Sequence, residues 1–184
     1  MSYAGVVKLR AWAPAAAAAG VGLLVYTAVT QLSPAPPPRV EAGKPAPAIR
    51  LTDVAGQSAS LAQYRGRVVL LDFWATWCQT CLVELDDLKV LHARYRPQGL
   101  EIVAASVDAE GRRVLVPFIA QHAIPWRVVM ADPKATRTYA IFGLPAKFLI
   151  DRRGLVARRF DGPVDPDALE KEIRQLLELA GGDT

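Results

Sequence analysis

The feature that most constrains this chain is a Cys-x-x-Cys pair placed directly after an apolar run. Among its 184 residues are two cysteines, Cys78 and Cys81, and the run at 68–74 reads Val-Val-Leu-Leu-Asp-Phe-Trp. Such a run predicts a strand that is buried on both faces, so the cysteines fall at the start of the following helix. Two cysteines one helical turn apart can close a disulfide. The sequence therefore predicts a redox-active dithiol at a strand–helix junction.

Other uses of the cysteine pair fit the sequence less well. A tetrahedral zinc site needs two more ligands, and the chain offers only His92 and His122. Covalent haem attachment needs a histidine after the second cysteine, where this chain has Leu82. A purely structural disulfide over so short a loop removes little entropy from the unfolded chain. We therefore expect no metal, and no cofactor other than the disulfide itself.

The first forty residues differ from the rest and predict a membrane anchor. Residues 11–38 carry no charge, and the apolar stretch 11–32 is long enough to cross a bilayer as a helix. Because Lys8 and Arg10 precede it, the positive-inside rule places residues 1–10 in the cytoplasm and the remainder outside it. A cleaved signal peptide is the alternative, although no clean small-x-small cleavage site ends the apolar run.

A proline-rich linker at 33–42 then leads to a folded domain predicted over 43–181. The prolines favour a semi-rigid extended spacer. About 140 residues suffice for one domain with a single core. The formal net charge of +4 is modest and the arginines are scattered. With no nucleic-acid motif and no glycine-rich phosphate loop, we expect no nucleic-acid partner.

Apolar and turn patterns predict alternating strands and helices in the folded domain. Strands are expected at 67–74, 100–107, 127–131, 147–150 and 155–160, and helices at 78–95, 112–122, 133–142 and from Asp165-Pro166 onward. The last two strands form a hairpin by their spacing and turn residues. This order predicts an α/β domain with the thioredoxin fold, in which a central mixed sheet is flanked by helices in three layers.

Several motifs make the chain resemble the TlpA/ResA-like branch of the thioredoxins, which is related to CcmG. The matching pieces are Gly43–Pro47, Arg65–Leu71, Phe73–Cys78, Gly143–Pro145 and Phe148–Asp151. Members of this branch are membrane-anchored thiol-disulfide oxidoreductases of the bacterial cell envelope. The resemblance implies a single-pass protein of the bacterial inner membrane, with its catalytic domain in the periplasm or otherwise outside the cytoplasm.

Three residues are assigned catalytic roles. Cys78 is the predicted attacking thiol, because the unpaired N–H groups and the dipole of a helix N-terminus stabilise its thiolate. Cys81 lies one turn inward, so we expect it to be more buried and to resolve the mixed disulfide. Asp72 lies in an apolar strand, where burial would raise its pKa and fit it to take the proton from Cys81. The alternative for Asp72 is a solvent-facing acid at a strand end.

Three more residues are expected to bind the client protein. Trp77 forms an apolar lip over the site or, alternatively, packs against the fold. The resemblance implies that Pro145 follows a cis peptide bond and faces the cysteines. Leu144, the residue before it, is expected to bind the client together with Pro145. Because proline has no N–H, this segment offers a backbone edge beside which an extended peptide can dock.

The chain departs from the branch at three positions. Gln79-Thr80 replaces a pair that usually includes proline, so the redox potential does not follow from the resemblance. Glu84 is not followed by proline, which predicts a straighter helix. Glu84 itself either tunes Cys81 or lies on a solvated helix face. Asp72 stands where many members have asparagine. His92 falls on the apolar stripe of the same helix and is expected in the core.

The function predicted first is reduction of protein disulfides outside the cytoplasm, with electrons passed from a membrane donor to a client protein. The resemblance implies clients such as the haem-site cysteines of apocytochrome c or copper-site cysteines. A net disulfide oxidant is one alternative. A copper-delivery protein on the same fold is another, although that class has three residues between its cysteines and also uses a histidine. Peroxide reduction is disfavoured, because Ala75 stands where such enzymes hold the peroxide with threonine.

Overall fold

The computed structural model describes residues 40–178, which contain a seven-stranded sheet and five α-helices. The strands are β1 (Arg50–Asp53), β2 (Ser58–Ser60), β3 (Val68–Trp74), β4 (Leu100–Ser106), β5 (Arg127–Met130), β6 (Ala146–Ile150) and β7 (Val156–Asp161). The helices are α1 (Gln79–Val83), α2 (Leu85–Tyr95), α3 (Arg112–Gln121), α4 (Pro133–Thr138) and α5 (Pro166–Glu178). None of these described helices is long and apolar enough to span a bilayer. The predicted anchor at 11–32 lies outside the described residues.

The sheet is mixed, with the strand order β2-β1-β5-β4-β3-β6-β7. Strands β3, β4 and β5 run parallel, while β6 pairs antiparallel with β3 and β1 pairs antiparallel with β5. Every residue of β3 is buried, which explains why that strand reads as a continuous apolar run. The thioredoxin-like α/β fold with a mixed sheet is confirmed.

Alternation of side chains along the strands gives the sheet two buried faces. The cysteine face contains Leu70, Trp74 and both cysteines, and it packs against α1, α2, α3 and α5. The aromatic face contains Phe73, Tyr139 and Phe148, and it packs against α4 and the segment before β1. Both cysteines and the helix that carries them therefore lie on the cysteine face.

Two predicted helices differ in the structure. The helix expected over 78–95 is interrupted at Glu84, so the prediction of a straighter helix is wrong. The Glu84 side chain turns inward, where one carboxylate oxygen accepts a hydrogen bond from the Val164 N–H. The helix expected to reach residue 142 ends at Thr138, because Ala140 has a φ of 49°. The Arg159 guanidinium then donates to two of the carbonyl oxygens left free at that helix end.

Candidate active site

The two cysteines form a disulfide at the junction between β3 and α1. Cys78 is the N-cap residue of α1, and its sulfur accepts a hydrogen bond from the Cys81 N–H at 3.2 Å. The Thr80 hydroxyl oxygen lies 3.4 Å from the same sulfur. These contacts place the Cys78 sulfur where free helix N–H groups can stabilise negative charge. Its role as the attacking thiol stays a prediction.

A hydrogen-bond network fixes the loop that precedes Cys78. One carboxylate oxygen of Asp108 accepts from the Thr76 N–H at 3.0 Å and from the Ser106 hydroxyl at 2.7 Å, while the other accepts from the Thr76 hydroxyl at 2.7 Å. Asp108 is buried, so these bonds are shielded from water. Sequence reasoning missed this residue. The available signal was a pair of polar residues at the end of β4, the strand parallel to β3.

Both cysteines are buried to the same extent, although Cys81 was expected to be the more buried. Cys78 is 6% exposed and Cys81 is 7% exposed, because both side chains belong to the same core cluster. What distinguishes them is access from a groove with a volume of about 650 Å³, which Cys78 lines and Cys81 does not. The groove therefore gives access to Cys78 rather than to Cys81.

The groove beside Cys78 is bordered by exposed apolar side chains. Trp77 is 63% exposed and Phe142 is 87% exposed, and both line the groove together with Leu144. Trp77 therefore occupies the position of a lip rather than a packed position. Phe142 was not predicted from the sequence, since its position was assigned to the end of a helix. Contact of Trp77 and Leu144 with a client stays a prediction.

The peptide bond between Leu144 and Pro145 is cis, as the resemblance implied. Gly143 and Leu144, the two residues before Pro145, line the groove with Cys78. The Pro145 carbonyl accepts a hydrogen bond from the Gly162 N–H at 2.8 Å, which joins the start of β6 to the end of β7. The segment that ends at Pro145 thus forms one border of the groove, and binding of a client by Pro145 is untested.

Asp72 is buried on the cysteine face, at 6% exposure. The alternative of a solvent-facing acid is therefore wrong. Burial raises the pKa of the Asp72 carboxyl to about 6, the Lys147 ammonium opposes that rise, and the Glu84 carboxylate adds to it. A carboxyl with a pKa of about 6 is well suited to exchange a proton near neutral pH, although its action as a general base stays a prediction.

Lys147 is completely buried and was not predicted as part of the site. Its ammonium donates to Glu84 Oε2 at 2.7 Å and lies 3.8 Å from Asp72 Oδ1. Glu84 is also buried, so the alternative of a solvated helix face is wrong for this residue. Asp72, Glu84 and Lys147 form a buried ionic cluster of two acids and one base. The available signal was a lysine within the otherwise apolar strand β6, opposite an aspartate within β3.

Neither histidine contributes to this site. His92 is buried and packs edge-on against Trp126, with ring centroids 5.6 Å apart, and burial lowers its pKa. Its predicted place in the core is confirmed. His122 stacks on Phe118 at the end of α3, with centroids 4.1 Å apart. Within residues 40–178, no three side chains of the metal-binding types converge into a cluster that could hold an ion.

Comparison with known proteins identifies relatives over most of the chain. The AhpC/TSA family matches residues 42–159. The thiol-disulfide oxidoreductase ResA of Bacillus thuringiensis subsp. konkukian is 31% identical over 140 residues, which is 75% of this chain and 80% of that protein. The thiol:disulfide interchange protein HelX of Rhodobacter capsulatus is 32% identical over 161 residues, which is 83% of this chain and 86% of that protein.

A solved structure gives the same result at the level of the fold. The crystal structure of a protein described as thiol:disulfide interchange protein DsbE, from Chlorobium tepidum, superposes with a TM-score of 0.69 at 34% sequence identity. The match covers 75% of this chain and 99% of that one. The names of all three relatives describe the same chemistry, the exchange of thiols and disulfides.

Proposed function

The chain belongs to the AhpC/TSA family and is a thiol-disulfide oxidoreductase, and on that premise we propose that it is a membrane-tethered reductant of protein disulfides outside the cytoplasm. Its substrates are client proteins, and the Cys78/Cys81 dithiol supplies the electrons. The structure contains the oxidised, disulfide form of that dithiol.

The first step is attack by the Cys78 thiolate on a client disulfide. The S–S bond of the client breaks, a mixed disulfide with Cys78 forms, and the departing client sulfur takes up a proton. The groove that exposes Cys78 supports this assignment, because Cys81 does not line it. The exposed rings of Trp77 and Phe142 offer apolar contact for the client segment around its cysteine.

The second step releases the reduced client. Cys81 gives its proton to the Asp72 carboxylate and attacks the Cys78 sulfur, which restores the Cys78–Cys81 disulfide and frees the second client thiol. Two electrons have then passed from the enzyme to the client. A dithiol donor in the membrane returns the enzyme to its reduced form by the same exchange in reverse.

The proposed direction of electron transfer rests on the charges that lie on the cysteine face of the sheet. Strongly oxidising dithiol proteins owe their potential to a stabilised reduced form. Here the hydrogen-bond partners that residues 40–178 give to the Cys78 sulfur are neutral. The buried ionic cluster contains two carboxylates and one ammonium. This excess of negative charge lies on the same face of the sheet as Cys81 and disfavours a thiolate there. It therefore supports a reducing couple, even though the helix N-terminus stabilises the Cys78 thiolate.

The reduction potential of the full-length chain tests this proposal. Equilibration with a dithiol of known potential should give a value near the thioredoxin figure of about −270 mV. A value near about −120 mV would identify the protein as a net oxidant instead. Stoichiometric, tight binding of cuprous ion by the reduced chain would favour the alternative of copper delivery.

The membrane tether is tested separately from the redox chemistry. We propose that residues 11–32 cross the inner membrane once, with the folded domain in the periplasm. A reporter that is active only outside the cytoplasm should work when it is fused after Leu32 and fail when it is fused before Lys8. Recovery of a mature protein that starts near residue 36 would show that the segment is a cleaved signal peptide.

We further propose clients whose paired cysteines must be reduced before a cofactor is bound, such as the haem-site cysteines of apocytochrome c or copper-site cysteines. Deletion of the gene should leave these cysteines oxidised in the cell envelope. Alkylation of the free thiols, followed by mass measurement of each client, distinguishes the two classes.

A further inference from the structure

We propose that Lys147 is a positioning residue for the resolving step, because its ammonium keeps the Asp72 carboxylate in the ionised form that accepts the proton of Cys81. This inference rests on the proposed function only for the roles that it gives to Cys81 and Asp72. It adds a third charged residue to the reaction, contributed by a strand that carries no cysteine.

The register of the sheet places Lys147 beside Asp72. In the antiparallel pairing of β3 with β6, these two residues are direct partners. Side chains of directly paired residues lie on the same face of a sheet, which here is the cysteine face. Lys147 has no solvent exposure, and a buried ammonium is costly unless charges of opposite sign surround it. The two acids that it faces, Asp72 and Glu84, therefore account for a buried lysine at this position of β6.

The two acids share this ammonium unequally. Glu84 receives the hydrogen bond at 2.7 Å, and its second oxygen accepts from the Val164 N–H at 2.8 Å, so both of its oxygens are bonded. Asp72 Oδ1 lies 3.8 Å from the ammonium and has no hydrogen-bond partner within the described residues. That distance is too long for a hydrogen bond but short enough for strong attraction between charges.

The consequence is a carboxylate that is stabilised by charge yet left with a free oxygen. The attraction of Lys147 counteracts the burial that would otherwise keep Asp72 protonated at neutral pH. The unbonded oxygen is then available to take a proton. A direct hydrogen bond from Lys147 would have made Asp72 a weaker base, but the ammonium lies against Glu84 at 2.7 Å and stays 3.8 Å from Asp72.

The charged groups that face Asp72 come from two of the elements around it, while α5 packs against this face with Leu169 and Ile173, which carry no charge. From β6 it faces Lys147, and from the turn between α1 and α2 it faces Glu84. From β4 its direct partner is Ala104, which carries no charge. In the reduced protein the thiol of Cys81 is a further titratable group on the same face. Lys147 is the cation in this set.

The test compares Lys147→Met with Glu84→Gln in the full-length chain. The mixed disulfide of Cys78 with a small aromatic thiol is formed, and its resolution by Cys81 is timed across the pH range. Without Lys147 the midpoint of the profile should rise by about one to three pH units, which slows resolution at pH 7 by roughly two- to hundredfold. Without Glu84 the midpoint should fall, because the ammonium is released to Asp72.

Opposite shifts support the proposal, because general loosening of the site would move both variants in the same direction. Shifts of the same sign, or an unchanged profile in Lys147→Met, would overturn it. In an Asp72→Asn background, Lys147→Met should cause no further shift, since the group through which it acts is gone.

A second readout needs neither a client nor a direction of electron flow. The carboxyl carbon of Asp72 is titrated by NMR in the oxidised full-length chain, with and without Lys147→Met. An unchanged titration overturns the proposal even if the protein proves to be a reductant. A shifted titration with unchanged resolution also overturns it, and leaves the proposed reduction of clients intact. If the measured potential identifies an oxidant, a shifted titration still supports the coupling.

If Lys147→Met does not fold, the double variant Glu84→Gln with Lys147→Met replaces it. Removal of both members of a buried ion pair is often better tolerated than removal of one. Lys147 acts on Asp72 more strongly than Glu84 does, so the Asp72 midpoint should still rise above that of the natural chain. A midpoint that falls in the double variant would overturn the proposal.

Discussion

The two faces of the central sheet use neighbouring residues for opposite purposes. Asp72 is followed by Phe73 in β3, and Lys147 is followed by Phe148 in β6, so a charged residue and an aromatic residue alternate in both strands. On the aromatic face, Phe73 and Phe148 pack with Tyr139, with ring centroids 5.0–6.1 Å apart. On the cysteine face, the same two strands bury an acid and a base.

This difference shows that burial alone does not identify what stabilises the fold. Buried aromatic rings gain from removal from water and from contact with each other, and they carry no cost of lost hydration of charge. Buried ions recover their cost of desolvation only through partners, and Asp72 has an oxygen without one. We therefore expect changes on the aromatic face to affect stability, and changes on the cysteine face to affect exchange.

The largest contrast should come from the cysteines themselves. Cys78→Ser should abolish the reduction of clients, because no other thiol lines the groove. Cys81→Ser should leave the first attack intact and trap clients as stable mixed disulfides, which non-reducing gels and mass spectrometry detect. Preferential trapping by Cys81 in the Cys78→Ser protein would reverse the assigned roles. The free Cys78 thiol should also be alkylated with a pKa below about 8.5, the value for an ordinary cysteine.

Asp72→Asn tests the charged side of the comparison at nearly constant shape. The amide removes the proton acceptor, so resolution by Cys81 should slow by roughly 10²–10⁴-fold. Attack by Cys78 should change little, and mixed disulfides should accumulate in single-turnover experiments near neutral pH. An unchanged rate of resolution between pH 6 and pH 8 would contradict the role of Asp72 as the proton acceptor. Glu84 or solvent would then be the acceptor.

Phe148→Ala tests the aromatic side of the comparison. The ring is fully buried against Phe73 and Tyr139, so its loss should lower the free energy of unfolding by about 3–5 kcal/mol. The rate of resolution in the folded fraction should stay within a few-fold of the original. A large kinetic effect without a loss of stability would show that the two faces are not separable.

Phe142→Ala is the matched control, six positions earlier in the chain. That ring is 87% exposed, so stability should change by no more than about 0.5 kcal/mol. Because Phe142 lines the groove, the KM for a client should rise. Chemical denaturation and steady-state kinetics of both variants separate packing from client binding.

The fold was predictable from the sequence because its signals are local. The apolar run of β3, the cysteine pair after it and the turn between β6 and β7 each occupy a short stretch of chain. The hairpin and the start of α5 were found in this way. The shorter α4 was not, because it ends before Ala140, which has a positive φ, and the carbonyls of Tyr139 and Ala140 are bound by Arg159 of a distant strand.

The candidate site was predictable only in part, for the same reason. Cys78 and Cys81 lie close in sequence to the strand and the helix that position them. The burial of Asp72 follows from the apolar residues around it in the same strand. The importance of Lys147 and Glu84 depends on a pairing of β3 with β6 that joins residues far apart in sequence. The helix is interrupted at Glu84, whose carboxylate bonds Lys147 and the Val164 N–H, and both partners lie far from it in sequence.

Asp72→Asn should also change how the stability of the protein depends on pH. The pKa of this carboxyl is about 6 in the folded state and 3.8 in the reference state, so the folded protein holds its proton more tightly. Stability therefore falls as the pH rises through this window, by about 2–3 kcal/mol between pH 3.8 and pH 7. The asparagine cannot ionise and escapes that loss.

The gain in stability from Asp72→Asn should accordingly be larger at pH 7 than at pH 4, by about 2 kcal/mol. Urea denaturation at the two pH values measures this difference, with Asp87→Asn as a control because Asp87 is exposed on α2. The control should show almost no dependence on pH. An equal gain at both pH values would mean that the amide improves packing rather than removing a buried charge. A gain confined to pH 7 would place the cost on the ionised Asp72 carboxylate, which is the form that the resolving step requires.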